Sequence, residues 1–221
     1  MTESVAETNR LKRRRYRQHG NPFTIRAPKK MPDWNEIYGR KAPLALDIGF
    51  GEGGFTTELA RNHPEWNVLG LEIRPHFVKW LMEARHEHRL NNLYGIVANA
   101  NEHLGDLLEN GSVEFVSINF PDPWSKKARR KHRIISERFL EMMHRLFRPN
   151  GEIHFKTDHR EYFQYANDLL VQSGLFRILD HTVDLQQSKY AETNIRTEFE
   201  MLFASKKNPP IGYLRAGRIS H

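Results

Sequence analysis

The sequence predicts an α/β fold: a seven-stranded, mostly parallel sheet with an antiparallel C-terminal strand and helices on both faces. Two observations carry this expectation. Five short β-rich runs alternate with helical stretches, which is the rhythm of a parallel sheet whose crossovers are helices. After residue 176 the pattern changes to two longer β-rich runs separated by a polar loop, which fits an antiparallel pair at one edge. The chain has 221 residues, 38% of them apolar, enough for one core with some decoration. We expect a basic arm over 1–32 and a single domain over 33–221.

The five parallel runs end at LALDIGF, NVLGLEI, LYGIVAN, VEFVSINF and GEIHFKTD. Between the second and third, residues 75–90 start with Pro at a first helical position and place Phe77, Val78, Leu81, Met82 and Ala84 on a broad apolar face. Before the fifth, residues 134–148 space Ile135, Phe139, Leu140, Met143 and Phe147 ahead of the stop signal Pro149-Asn150-Gly151. FRILDHTVDL and TEFEMLFASK supply the expected antiparallel pair.

Composition removes several classes of function. No apolar run approaches the roughly 18 residues of a membrane span, and no signal-peptide core is recognisable, so a soluble cytoplasmic protein without membrane partners is expected. With no cysteine there are no disulfides, thiolate nucleophiles or Cys-based zinc sites. His86 and His88 in RHEHR are two apart and point to different faces of a helix, so no metal is expected.

Charge points to a polyanion. The net charge is +7, and the cations are unevenly placed: fifteen of the 34 Lys and Arg lie in residues 1–30 or 126–133. RLKRRRYR, from Arg10 to Arg17, carries six, and six more fill the eight positions from Lys126 to Arg133. One such cluster reads equally well as solvated surface or a localisation signal, whereas two favour a polyanion.

The glycines of DIGFGEGGF, at 49, 51 and 54, fit G-x-G-x-x-G, a turn through which a strand enters a helix while its backbone passes close to a ligand. Asp47 ends the preceding strand. A carboxylate there repels a pyrophosphate and attracts an ammonium, which favours S-adenosylmethionine over a dinucleotide. Glu72 in GLEI stands 21 positions after Gly51, where a carboxylate accepts both ribose hydroxyls of an adenosine. Asn99 in ANAN offers an amide to an adenine edge, or simply caps a turn. In NFPDPWSKK, Asp122 emerges at the end of the fourth strand, where open α/β sheets bind ligands. Pro121 and Pro123 each fix a φ angle beside it.

Taken together, DIGFGEGGF, GLEI, INFPDPWSKK, RIIS, GEIHFKTD and TEFE resemble the tRNA (guanine-N7)-methyltransferase family, whose F-P-D-P-W/H-x-K and F-K-T-D elements are highly specific. The resemblance runs from about Asp33 to Ser205. It implies the class I methyltransferase fold, S-adenosylmethionine as cofactor, and N7 of a guanine in the variable loop of tRNA as target. It also implies cofactor contacts from Asp47, Gly49, Gly51, Glu72, Asn99 and Asp122, with Asp122 catalytic. On the substrate side it implies Lys126, Asp158, Thr197, Glu198, Phe199 and Glu200. Asp47 replaces a more usual Glu and Asn99 a more usual Asp. Trp124 or Tyr190 would stack on the target base, and the protein would act as a monomer or small homo-oligomer. Two other readings explain less: a nicotinamide-dependent oxidoreductase uses only the glycines and Glu72, and a non-catalytic RNA-binding protein leaves the acidic strand ends idle.

Overall fold

The computed structural model describes residues 25, 32–203 and 209–220. The basic run RLKRRRYR and nearly all of the expected arm lie outside the described residues, as does the end of TEFEMLFASK.

Helix α1 (Trp34–Tyr38) starts at Asp33, whose carboxylate accepts from the Asn35 and Glu36 amides. The expected alternation follows as β1 (Leu44–Ile48), α2 (Gly54–Asn62), β2 (Asn67–Glu72), α3 (Pro75–Glu87), β3 (Leu93–Val97), α4 (Ala100–Leu107) and β4 (Val113–Asn119). It continues as α5 (Glu137–Leu146), β5 (Phe147–Thr157), α6 (Arg160–Gln172), β6 (Phe176–Thr182), α7 (Glu198–Phe203) and β7 (Gly212–Arg218). The seven strands form one sheet in the order β3-β2-β1-β4-β5-β7-β6, in which β7 runs antiparallel to both of its neighbours.

Three expectations change in detail. TEFEMLFASK is not the seventh strand. Its Thr197-x-x-Glu200 is a capping box: Thr197 Oγ1 accepts from the Glu200 amide at 3.2 Å while Glu200 Oε1 accepts from the Thr197 amide at 3.3 Å, and this pair starts α7. The antiparallel strand is GYLRAGR, inserted between β5 and β6; its glycines hide the alternation, and Gly212 is needed because a Cβ there would sit 2.5 Å from the Phe163 ring. Ile135 is buried but precedes α5, which begins only after the Ser136 cap. The chain then passes from Leu146 straight into β5, and Pro149-Asn150-Gly151 lies in that strand beside a register shift against β4.

Strand alternation divides the molecule into two sides. On one, Leu46, Ile48, Val116, Ile118, Ile153, Phe155, Leu214 and Ala216 meet α1, α4, α5 and α6 in the larger core. On the other, α2 and α3 cover only β1 to β3, through Phe55, Leu59, Phe77 and Leu81 packed on Ala45, Val68 and Leu93. There β4, β5 and β7 present Phe115, Ser117, Asn119, Glu152, His154, Lys156, Tyr213 and Arg215, which line a cavity; at its edges Phe115 packs against the smaller core and Tyr213 joins Leu185 and Ile211 in a third small cluster.

Candidate active site

The C-terminal ends of β1 to β4 converge on a cavity of about 250 Å3, whose wall includes Gly49, Glu72, Arg74, Asn99, Asn119, Asp122 and Trp124. Four of the sequence-predicted residues, Gly49, Glu72, Asn99 and Asp122, therefore meet at one place. Gly51 is tied to them: its amide donates to Glu72 Oε2 at 3.1 Å, and its φ of 62° is one that a side chain would strain.

Glu72 is 3% exposed and its carboxylate is fully engaged. Oε1 accepts from the Ile73 and Arg74 amides and from Arg74 Nε, while Oε2 accepts from Gly51 and from Arg74 Nη2, all between 2.9 and 3.1 Å. The backbone donors fix the carboxylate and the guanidinium is its removable partner. Arg74 also lies over the Phe77 ring at 4.2 Å. Asn99 caps α4, its side-chain oxygen accepting from the Asn101 amide at 3.1 Å, so the capping role and a place on the cavity wall coincide.

Asp122 is exposed at the cavity edge, on a strained turn held in place by its contacts. Phe120 and Trp124, two residues to either side, have positive φ values of 49° and 42°, which persist only where the surroundings over-determine them. The surroundings do so. The Phe120 amide donates to Lys156 O at 2.9 Å, and its ring packs on Phe199 at 4.6 Å. Arg133 Nε donates to Pro123 O at 2.8 Å.

Arg133 changes the reading of the basic run. Five of its six cations are exposed, but Arg133 is 1% exposed, paired with Glu161 through its two terminal guanidinium nitrogens and stacked on Tyr162 and Tyr165 at 4.5 and 4.8 Å. Arg133 thus braces the Asp122 turn and does not face solvent. Nothing in its sequence spacing separates it from its neighbours; the following apolar Ile134-Ile135 is the available signal.

Asp47 lies beneath the cavity, outside its wall. It is 1% exposed and accepts from Thr56 Oγ1 at 2.6 Å and Ser117 Oγ at 2.8 Å. Burial pushes its carboxyl pKa up to about 6, opposed by those two hydrogen bonds. Its geometry is that of a clamp joining α2 to β1 and β4.

The segment 197–200 is held at every position. Besides the capping box, Glu198 Oε1 accepts from the Gly54 amide at 2.5 Å, placing an anion at the N-terminus of α2. A Cβ on Gly54 would meet that same oxygen at 2.5 Å, so here the third motif glycine serves the approach of Glu198. Glu200 pairs with Lys156 Nζ at 3.1 Å, and Lys156 also donates to Asn194 Oδ1 and Ile195 O. Sequence reasoning missed Lys156, although it stands within FKTD. Burial lowers its pKa while Glu200 opposes the shift. Lys126 and Asp158 line neither cavity described here; they flank a contact at 3.1 Å between Ser125 Oγ and His159 Nε2 that joins their loops. Trp124 is on the cavity wall, whereas Tyr190 belongs to the sheet-face cavity. Among the described residues no cluster of three or more His, Asp or Glu is placed to hold a metal, and no helix is long and apolar enough to cross a membrane.

Comparison with known proteins shows the family. Residues 41–211 match the family model Methyltransf_4, a methyltransferase family. A tRNA (guanine-N(7)-)-methyltransferase of Lachnoclostridium phytofermentans is 34% identical over 190 residues, covering 86% of this chain and 88% of that protein. One from Geobacillus sp. (strain WCH70) is 36% identical over 176 residues, covering 79% and 78%. A bifunctional glycosyltransferase/methyltransferase of Fusobacterium nucleatum is 35% identical over 192 residues, which span 86% of this chain but only 29% of that protein. Among solved structures, the 16S rRNA methyltransferase KamB superposes with a TM-score of 0.66 at 17% identity, covering 87% of this chain and 96% of that one, a likeness of fold alone. Matched at 34% and 36% identity by two tRNA (guanine-N(7)-)-methyltransferases over most of their length, the chain belongs to the tRNA (guanine-N7)-methyltransferase family.

Proposed function

We propose that this chain transfers a methyl group from S-adenosylmethionine to N7 of a guanine in the variable loop of tRNA. The observation that carries the reading is the convergence of Gly49, Glu72, Asn99 and Asp122 on one cavity, beside five exposed cations of the run from Lys126 to Arg133. The cavity's chemistry suits the cofactor. Glu72 presents a fixed carboxylate whose removable partner is a two-donor guanidinium, and a ribose diol is a two-donor replacement. At about 250 Å3 the cavity is slightly below the roughly 300 Å3 at which small-ligand sites begin, and Arg74 is the wall residue whose withdrawal enlarges it.

Bound S-adenosylmethionine supplies an electrophilic methyl group on a sulfonium. Guanine N7 offers a lone pair and carries no proton, so no residue has to act as a base. The chain's task is alignment and charge stabilisation. We assign to Asp122, on its strained and braced turn, the task of stabilising the positive charge that the ring gains. The exposed cations bind phosphate without regard to sequence, so affinity falls steeply with salt. We assign residues 1–32 to the same task, as a basic arm on the domain over 33–221; deleting them should raise the tRNA KM more than it lowers kcat, and an unchanged KM would remove the arm from the proposal.

The direct test is methylation of unmodified tRNA followed by borohydride reduction and aniline cleavage, which reports N7-methylguanine by position. We expect cofactor-dependent cleavage in the variable loop. Asp122→Ala should lower kcat by about 10²–10³-fold, as loss of one charge-stabilising group does, with cofactor affinity nearly unchanged. Absence of cleavage with the wild-type chain sinks the activity; full turnover by the variant removes Asp122 from it.

A further inference from the structure

The chemistry proposed above assigns no role to the sheet-face cavity. It measures about 420 Å3, larger than the strand-end cavity, and lies on β4, β5 and β7 between α2 and the segment over 185–195. A sheet face that needed only a cover would carry aliphatic residues, as the opposite face of the same strands does. This one carries a belt of rings. His63 stacks on Trp66 at 4.0 Å and 9°, Trp66 meets Phe115 at 5.4 Å, and Phe115 meets His154 at 4.6 Å; the belt continues through Tyr213 to Tyr190 at 5.7 and 5.0 Å.

Polar groups are built into the same wall and their charges are internally matched. Glu152 accepts from Arg215 at 2.8 Å and contacts His154 Nε2 at 3.1 Å, while Tyr213 holds His154 Nδ1 at 2.8 Å. Lys156 is paired with Glu200, and Glu114 lies 3.7 Å from Arg148. The cavity therefore offers aromatic faces and fixed hydrogen-bonding groups without a surplus of either sign. That disfavours a phosphate or carboxylate as the buried part of a ligand, and the polar groups in the wall disfavour a purely aliphatic chain. A neutral, planar heterocycle with donors and acceptors on its edge fits both conditions. Asn119 lines both cavities, so an occupant here is a neighbour of whatever occupies the catalytic cavity.

We propose that the sheet-face cavity is a second nucleobase site, which takes a base of the RNA substrate other than the guanine that is methylated, its phosphates remaining outside. Stacking on splayed-out bases is the usual way single-stranded RNA is read. The inference rests on the RNA-methylating reading above, and the test keeps the two apart.

The chain has four tryptophans, of which Trp66 lines the sheet-face cavity and Trp124 the catalytic one. Protein labelled with 5-fluorotryptophan, with resonances assigned through single Trp→Phe variants, gives a separate 19F signal for each cavity. With saturating S-adenosylhomocysteine present, the four nucleoside 5′-monophosphates and then unmodified tRNA are titrated in. We expect at least one mononucleotide to shift Trp66 saturably, tRNA to shift it too, and Thr193→Phe, which fills the mouth, to abolish both shifts. Tyr190→Ala, which removes one wall, should raise the tRNA KM roughly tenfold, within the range one base–aromatic stack commands. A Trp66 shift with mononucleotides but not with tRNA would assign the cavity to a free nucleotide and overturn the RNA source. No shift at Trp66 with any of them overturns the site. Methyl transfer by the wild-type chain is scored separately, so failure of the activity and failure of this site give different results.

Discussion

The three strands β4, β5 and β7 have two faces built on opposite rules. On the covered face Val116, Ile118, Ile153, Phe155, Leu214 and Ala216 are all 0% exposed, and on the other Glu152, His154, Lys156 and Arg215 alternate with them residue by residue. One backbone thus serves a core and a polar wall at once, which the two-residue period of a strand allows. Stability is concentrated on one side, and the hydrogen-bonding groups on the other are spared from packing. The difference teaches that a mostly parallel sheet of this class need not be packed with aliphatic residues on both faces.

The comparison breaks most easily at equivalent aromatics. Phe155→Ala, on the covered face, should cost about 3–5 kcal/mol in chemical denaturation. Phe115→Ala, half-buried on the open face, should cost less than half as much. Equal losses would mean that the open face is core after all.

Arg133 sharpens the contrast from the covered side, where it is a fully buried cation stacked on α6. Arg133→Met should keep the fold and cofactor affinity, yet lower kcat by roughly 10²-fold, the scale of a small misplacement at a reacting centre. Lys127→Met, a few residues away and exposed, should chiefly raise the tRNA KM. A purely structural Arg133 would lower Tm without moving kcat.

Asp47 is the smallest test, buried between β1, β4 and α2 against Ser117 and Thr56. Its carboxyl is raised from 3.8 to about 6 by burial, so between those values the native chain keeps a proton that the unfolded chain has lost. Its contribution to stability accordingly falls as pH rises through that window and is least favourable above it. Asp47→Asn should be more stable than the parent by about 1–3 kcal/mol at pH 8, with the gain shrinking towards pH 4. A gain independent of pH would mean that the carboxylate is not buried as described.

Much of this was legible in the chain because strand ends advertise themselves. The runs into Asp47, Glu72, Asn99 and Asp122 each stop at a polar side chain, and the structure gathers three of those four on one cavity. Asp47 is not on that wall: it is clamped by Thr56 and Ser117, and in sequence a carboxylate at a strand end looks the same on the wall or a layer below it. The last strand was misplaced for a local reason: TEFEMLF is β-rich in composition, but Thr197-x-x-Glu200 is a helix start signal and it prevailed. The open face was visible in GEIHFKTD, where Glu, His and Lys alternate with Ile and Phe, a half-buried pattern in a position where a doubly covered strand was expected. Arg133 and Lys156 remained hidden because burial of a cation is decided by tertiary partners distant in sequence, Glu161 and Glu200.

The insertion of β7 between β5 and β6 has a kinetic corollary. During synthesis β6 leaves the ribosome without a sheet neighbour, and β5 keeps one open edge, until Gly212–Arg218 has also emerged to fill the gap. Closure is therefore a late, long-range event of the kind that slows folding and leaves strand edges available for wrong pairing. A nascent or nicked chain lacking that segment would hold Glu72 and Asp122 in sequence yet present a split sheet, a natural target for chaperones and proteases.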